Sequence, residues 1–168
     1  DCASWGLQQI LVVDTALTEQ SYARSRAWMP DSVQASVQLG LQQGGLVDPP
    51  RVVHLEALQA ALSACADTSR RVVVLEPAAI QERVQATPVP ANAEHARIAL
   101  AVGPERGFTD ADVDLLLAAG FQPRSLGPTV LRTEVAVHAA LGTLSVELSG
   151  TATGPGHRGA WNVGAPGE

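Results

Sequence analysis

Two glycine-containing loops, close together in the chain, constrain what it can fold into more than any other feature. Each leaves a segment that reads as a short strand, and each opens a helical run. The first follows Ile98-Ala-Leu-Ala-Val102 and reads Gly103-Pro-Glu-Arg-Gly-Phe108. The second follows Gln122 to Leu126 and reads Gly127-Pro-Thr-Val-Leu-Arg-Thr-Glu134. An apolar run stopped by Gly-Pro predicts a buried strand. Thr109 followed by Asp112 predicts an acidic capping box, and Asp110, Asp112 and Asp114 place negative charge where a helix macrodipole favours it. Leu115, Leu116 and Ala119 are expected to supply that helix's apolar face, with Gly120 ending it. Ala136, Ala139, Ala140, Leu141 and Leu144 supply the second helix. Arg132, Thr133 and Glu134 stand at its entrance, beside unpaired backbone N–H groups. A capping Thr133 and a dipole-answering Glu134 account for two of them; Arg132 is unaccounted for. Strand, loop and helix twice over is how an α/β protein builds a ligand site at the carboxyl ends of its strands.

The rest of the chain repeats the alternation. Leu7 to Val13 reads as a buried, parallel strand, and Thr15 to Met29 as a polar loop. Pro30-Asp31-Ser32 starts a helix with Val33, Val37 and Leu41 on one row and Leu39 off it, ending before Gly44-Gly45. Val52-Val53 is a short strand at best. Leu55 to Ala66 reads as an amphipathic helix striped by Leu55, Leu58, Leu62 and Cys65. Arg71 to Leu75 is a strand broken at Glu76-Pro77. Residues 78–86 predict one or two helical turns, and 87–92 a proline-containing linker. The expected class is α/β with a mainly parallel sheet, spanning residues 1–148. Residues 149–168, rich in Gly, Pro, Thr and Ala, read as a flexible tail.

The two loops also carry a resemblance. Gly103-Pro-Glu-Arg-Gly-Phe108, a helix ending Ala-Gly-Phe121, and Ser125-Leu-Gly-Pro-Thr-Val-Leu-Arg-Thr-Glu134 together resemble the uridine-N3 methyltransferases of small-subunit ribosomal RNA, members of the trefoil-knotted SPOUT class. Arg106 departs from the family's glycine, Val130 from its isoleucine and Val135 from its threonine. The resemblance implies S-adenosylmethionine as cofactor. It implies a cofactor pocket from Leu75, Glu76, Val102, Gly103, Pro104, Glu105, Gly107, Leu126, Gly127, Val130, Leu131 and Ala136. Gly103, Gly107 and Gly127 would let backbone approach the ligand closely. Arg132 and Glu134 are the implied catalytic pair: Arg132 stabilising the uracil oxygen as the ring becomes anionic, Glu134 accepting a proton or holding Arg132. Glu105 is open to a structural role in bonding the facing loop. Thr18-Glu19-Gln20-Ser21 stands where the family has Thr-Glu-Arg-Ser near RNA, so Arg24 and Arg26 are the candidate RNA contacts, through phosphate. The resemblance further implies a site completed across a homodimer and a chain truncated at its N-terminus, without the family's PUA-like RNA-binding domain.

Charge bears on that reading. The formal net charge is −6 and the chain has no lysine, so every fixed cation is an arginine. That counts against strong RNA binding by this chain alone. It keeps two alternatives open: a non-catalytic or truncated module that retains the cofactor pocket, and a SPOUT methyltransferase with another RNA substrate. A different nucleotide-binding α/β enzyme is disfavoured: a chain without lysine has no Gly-x-x-x-x-Gly-Lys, and Gly-x-Gly-x-x-Gly occurs only at Gly154 to Gly159, within the segment read as a tail and not between a strand and a helix. Cys2 and Cys65 lie far apart without metal-ligand spacing, and His54, His95, His138 and His157 suggest no metal site. A reducing cytoplasm is expected. No apolar run approaches the roughly 20 residues of a membrane-spanning helix, so no membrane partner is expected.

Overall fold

The structure, a computed structural model, describes residues 2–19, 21, 25–76 and 97–150. Its strands are β1 (Gln9–Val13), β2 (Arg51–Leu55), β3 (Arg70–Val74), β4 (Ile98–Val102) and β5 (Gln122–Arg124). Its helices are α1 (Pro30–Gly44), α2 (Leu58–Ala64), α3 (Asp110–Ala118) and α4 (Thr133–Gly150), with 3-10 turns at Cys2–Trp5 and Arg26–Trp28. The helical turns expected in 78–86, the linker at 87–92 and the tail beyond Gly150 lie outside the described residues, as does Arg24. No helix among the described residues is long and apolar enough to cross a membrane.

Every strand pairing is parallel, as the alternation predicts, but the described strands form two sheets where one was expected. β1 pairs with β2, and the other sheet runs β4-β3-β5. β3 is central, and both its faces are covered: Val72 and Val73 are each buried. Val73, Leu75 and Ala99 pack with Leu58 of α2, Val113 and Leu116 of α3, and Phe121. Ala136, Ala140, Leu141 and Leu144 are the buried residues of α4, which packs on β4. A central parallel strand must bury both faces because its crossovers lay helices on each side.

Local chemistry explains the helix ends. Asp112 N–H donates to Thr109 Oγ1 (3.2 Å), and Thr109 N–H donates to Asp112 Oδ2 (3.1 Å), closing the predicted capping box. α1 starts on Pro30, where a missing N–H costs nothing, and ends at Gly45 in the left-handed region. Gly40 and Gly44 let it sit on the first 3-10 turn: a Cβ at Gly40 would lie 2.8 Å from Ala3 Cβ. Arg71 donates to the carbonyls of Cys65, Ala66 and Ala119 and to Thr68 Oγ1. One guanidinium thus satisfies carbonyls at the ends of α2 and α3, where a cation is favoured. Burial pushes the Cys65 thiol above its ordinary range, against the opposing pull of Arg71.

Several expectations are corrected. β2 is a full five-residue strand that includes Leu55, so α2 starts later, at Leu58. In α3 the buried face is Asp112, Val113 and Leu116, while Leu115 is exposed. β5 stops at Arg124, freeing Ser125 and Leu126 for the loop. β1 is half-buried along Ile10 to Val13, where a buried strand was expected. Past β1, the Trp28 ring stacks on His54 (centroids 5.6 Å, planes 4° apart), and His54 Nε2 lies 3.0 Å from Asp14 Oδ1. These contacts hold the turn that carries Arg26 against β2.

Candidate functional site

Three strands of the larger sheet end side by side, and their exits build one cavity. Beyond β3, Leu75 is buried and its N–H donates to the Arg124 carbonyl (3.1 Å). Beyond β4, Gly107 N–H donates to the Pro104 carbonyl (2.8 Å), closing a turn with Glu105 and Arg106 at its corners. Gly107 takes φ +74°, open to glycine at little cost. Beyond β5, Ser125 Oγ donates to the Gly127 carbonyl (2.9 Å) and accepts from Gly127 N–H (3.2 Å). That short loop holds Gly127 at φ +141°, with nothing within 4 Å of where a Cβ would sit.

The two loops are tied to each other. Thr133 Oγ1 donates to the Gly103 carbonyl at 3.1 Å. The hydroxyl is therefore used between loops and does not cap α4, as one reading of the sequence had it. The carbonyl of Arg132 accepts from Ala136 N–H (2.8 Å), so Arg132 is the residue from which α4 departs.

The cleft they form has a volume of about 170 Å³. Leu75, Glu76, Val102, Gly103, Pro104, Glu105, Gly107, Leu126, Gly127, Val130, Leu131 and Ala136 all line it. Its floor is apolar, with Leu75 and Ala136 buried. Its rim is charged, with Glu76, Glu105 and Arg106 exposed. Glu76 Oε1 lies 3.4 Å from the Cβ position of Gly107, and the Phe108 ring lies 3.2 Å from that of Gly103. A larger residue at Gly103 would push Phe108 away.

Arg132 and Glu134 stand apart from the lining. Both are exposed, and neither side chain has a partner among the described residues. Arg132 is at the helix entrance as the sequence predicts; its neighbours Leu131 and Thr133 are in the wall, and Arg132 adjoins it from outside. Arg26 is exposed on its 3-10 turn. Arg106, Phe108, Thr129 and Thr133 line the cavity but were not among the sequence candidates. Arg106 and Phe108 belong to the first loop motif, whereas Thr133 was read only as a helix cap and its place in the wall had no signal in the sequence. Among the described residues no group of three or more His, Cys, Asp or Glu could hold a metal ion.

The comparisons with known proteins agree with this geometry. A family model described as RNA methyltransferase domain matches residues 1–145. The chain is 28% identical over 140 residues to ribosomal RNA small subunit methyltransferase E 1 of Borreliella burgdorferi, covering 83% of this chain and 57% of that protein. It is 47% identical over 53 residues to the ribosomal RNA small subunit methyltransferase E of Synechocystis, covering 32% of this chain and 18% of that one. Among solved structures, a Legionella pneumophila methyltransferase in complex with bound SAM superposes with TM-score 0.67 at 25% identity, over 86% of this chain and 57% of that chain. Ribosomal RNA small subunit methyltransferase E of Neisseria gonorrhoeae, bound to S-adenosyl methionine, shares the fold, with TM-score 0.62 at 23% identity over 86% and 56%. The chain thus spans little more than half the length of the Borreliella relative. With the family model matched along nearly all of the described structure, this chain belongs to the RNA methyltransferase domain family.

Proposed function

We propose that this chain is the catalytic part of an S-adenosylmethionine-dependent methyltransferase acting on N3 of a uridine in small-subunit ribosomal RNA. The observation that carries the reading is the convergence of the β3, β4 and β5 exits on one cavity with an apolar floor and close-approach glycines. That cavity suits the cofactor. Open backbone at Gly127 gives room against the chain, Leu75, Leu126, Leu131 and Ala136 offer apolar surface, and the loop carbonyls and N–H groups offer bonds to an adenosine. When bound, S-adenosylmethionine would supply an electrophilic methyl group on a sulfonium for transfer to uracil N3.

The chain's own residues would align and shield these groups. Arg132 would stabilise the oxygen of the anionic uracil ring, and Glu134 would take the N3 proton or hold Arg132. Further parts of the reading are proposals of the same kind. They are a trefoil knot, a homodimer that completes the site, RNA contacts through Arg24 and Arg26, and a cytoplasmic setting. A trefoil knot would need the chain after β5 to return past β3 toward β4, and the bond from Thr133 to Gly103 and the packing of α4 on β4 fit such a return.

Calorimetric titration with S-adenosylmethionine, followed by methyl transfer to small ribosomal subunits, tests the proposal. Binding with transfer to uridine N3 supports it; absence of binding overturns it. A second reading, a cofactor-binding module without catalysis, draws on the exposed, unpartnered Arg132 and Glu134 and on the acidic net charge. Binding without transfer to any RNA would select that reading, and transfer to a different RNA would change the substrate alone.

A further inference from the structure

We propose that Arg106 is an anion contact at the cavity mouth and that its ligand is a phosphate of the substrate RNA. The proposal rests on the methyltransferase reading above and adds a residue to it. It begins from where the cations of an acidic chain are used. Arg70 and Arg124 are both engaged by Glu147. Arg71 is taken up by carbonyls at two helix ends. Among the described residues Arg26, Arg51, Arg97, Arg106 and Arg132 have exposed side chains with no hydrogen-bond or ion-pair partner. Arg51 opens β2 and Arg97 immediately precedes β4, so both lie at amino ends of strands. The five residues of β4 put about 16 Å between Arg97 and the cavity side of the sheet, beyond the screening length of about 10 Å in 0.1 M salt. Arg106 is the one free cation of this group that lines the cavity, and Arg132 adjoins the lining at Leu131 and Thr133.

The placement of Arg106 is well defined. It is a corner residue of the turn closed by the bond between Gly107 N–H and the Pro104 carbonyl. It has no positive φ, so a side chain is carried there without strain. Glu76 and Glu105 line the same rim, yet neither forms an ion pair with Arg106 among the described residues. The guanidinium is therefore not used to hold the loop. Without it the charged side chains of the lining would all be carboxylates, and a polyanion would be repelled from the place where its base must enter. The planar fork of arginine also suits phosphate oxygens.

The cofactor has an anionic carboxylate of its own, and the experiment separates the two sources. Wild type, Arg106→Gln and Arg106→Lys would each be titrated with S-adenosylmethionine and with a uridine-containing single-stranded RNA over a range of salt. For Arg106→Gln we expect RNA affinity to fall on the order of tenfold and the log–log salt slope to shrink by about 0.7, one phosphate of a single strand. Cofactor affinity stays within a few-fold, and Arg106→Lys keeps the slope. An unchanged RNA slope in Arg106→Gln overturns the proposal. So does a loss of cofactor affinity with RNA binding intact, which would assign the guanidinium to the cofactor. Wild type that binds cofactor but no RNA also overturns it and leaves the cofactor pocket standing. Wild type that binds neither overturns the methyltransferase reading itself.

Discussion

A single hydroxyl joins the two loops of the cavity, and Thr133→Val removes the donor while keeping the side chain's shape. The part-buried Gly103 carbonyl then loses its partner, which costs about 1–2 kcal/mol. The urea midpoint should fall accordingly, and cofactor affinity with it; if both stay put, the bond is incidental. Gly127→Val tests the opposite wall. A branched residue at φ +141° is strained by about 1–3 kcal/mol, but nothing within 4 Å opposes its Cβ. The variant should fold and fail to bind S-adenosylmethionine by calorimetry, and normal affinity in a folded variant would refute the pocket. Arg132 is exposed beside the cavity rather than in its wall. Arg132→Ala should therefore keep cofactor affinity within a few-fold and lose about a hundredfold or more in methyl transfer. Arg132→Lys should recover part of it, because an ammonium lacks the planar fork. Equal losses of affinity and turnover would make Arg132 a structural residue.

At the scale of elements, the end of α4 is fastened to the sheet by charge. Glu147 accepts from Arg70 (2.6 Å) and from Arg124. Burial alone would raise its carboxyl, but the two arginine hydrogen bonds and their charge outweigh it and hold it below its ordinary value of 4.5. A carboxyl depressed by folding binds fewer protons in the native state. Its stabilisation is complete above about pH 4.5 and is lost as pH falls through the folded value. Wild type should lose more urea resistance than Glu147→Gln between pH 7 and about pH 3, and parallel losses would mean that the ion pairs are not what fastens the helix. Other elements show what a sequence can and cannot tell. The capping box of Thr109 and Asp112 was legible because all its atoms lie in one turn. So were the row Val33, Val37, Leu41 and the strand Ile98–Val102. β2 was underestimated because its length comes from pairing with β1, far away in the chain. Which of Leu115 and Leu116 faces the core is decided by where β3 lies, not by the leucines. Most candidates that line the cavity were legible through the two loop motifs, whereas Leu75 and Glu76 came from the resemblance, and Thr129 and the bond from Thr133 to Gly103 depend on how the loops meet.

For the whole molecule, α4 is more apolar than its buried side requires. Val135 is 48% and Val146 73% exposed, and Val130 in the preceding loop is 66% exposed. These valines support the proposed homodimer, since obligate interfaces are apolar. Sedimentation should give a dimer at micromolar concentration, with Val135→Arg and Val146→Arg together returning a monomer; a wild-type monomer would sink the proposal.

The all-parallel pairing has a consequence for how the chain acquires its shape. Gln9 pairs with Arg51, Arg70 with Ile98 and Val72 with Gln122, so no pair among the described strands can close as a hairpin. Long loops must close before any pair is rewarded, which puts such a topology among the slower folders. The cavity draws on three strands whose pairings are all of this distant kind. A partly folded chain lacking any one of them has no cavity, and a bound ligand therefore stabilises the larger sheet as a unit. At a hundred times its dissociation constant a ligand that ignores the unfolded chain adds about 2.7 kcal/mol. Occupancy of the cleft thus raises the free energy needed to unfold all three strands together.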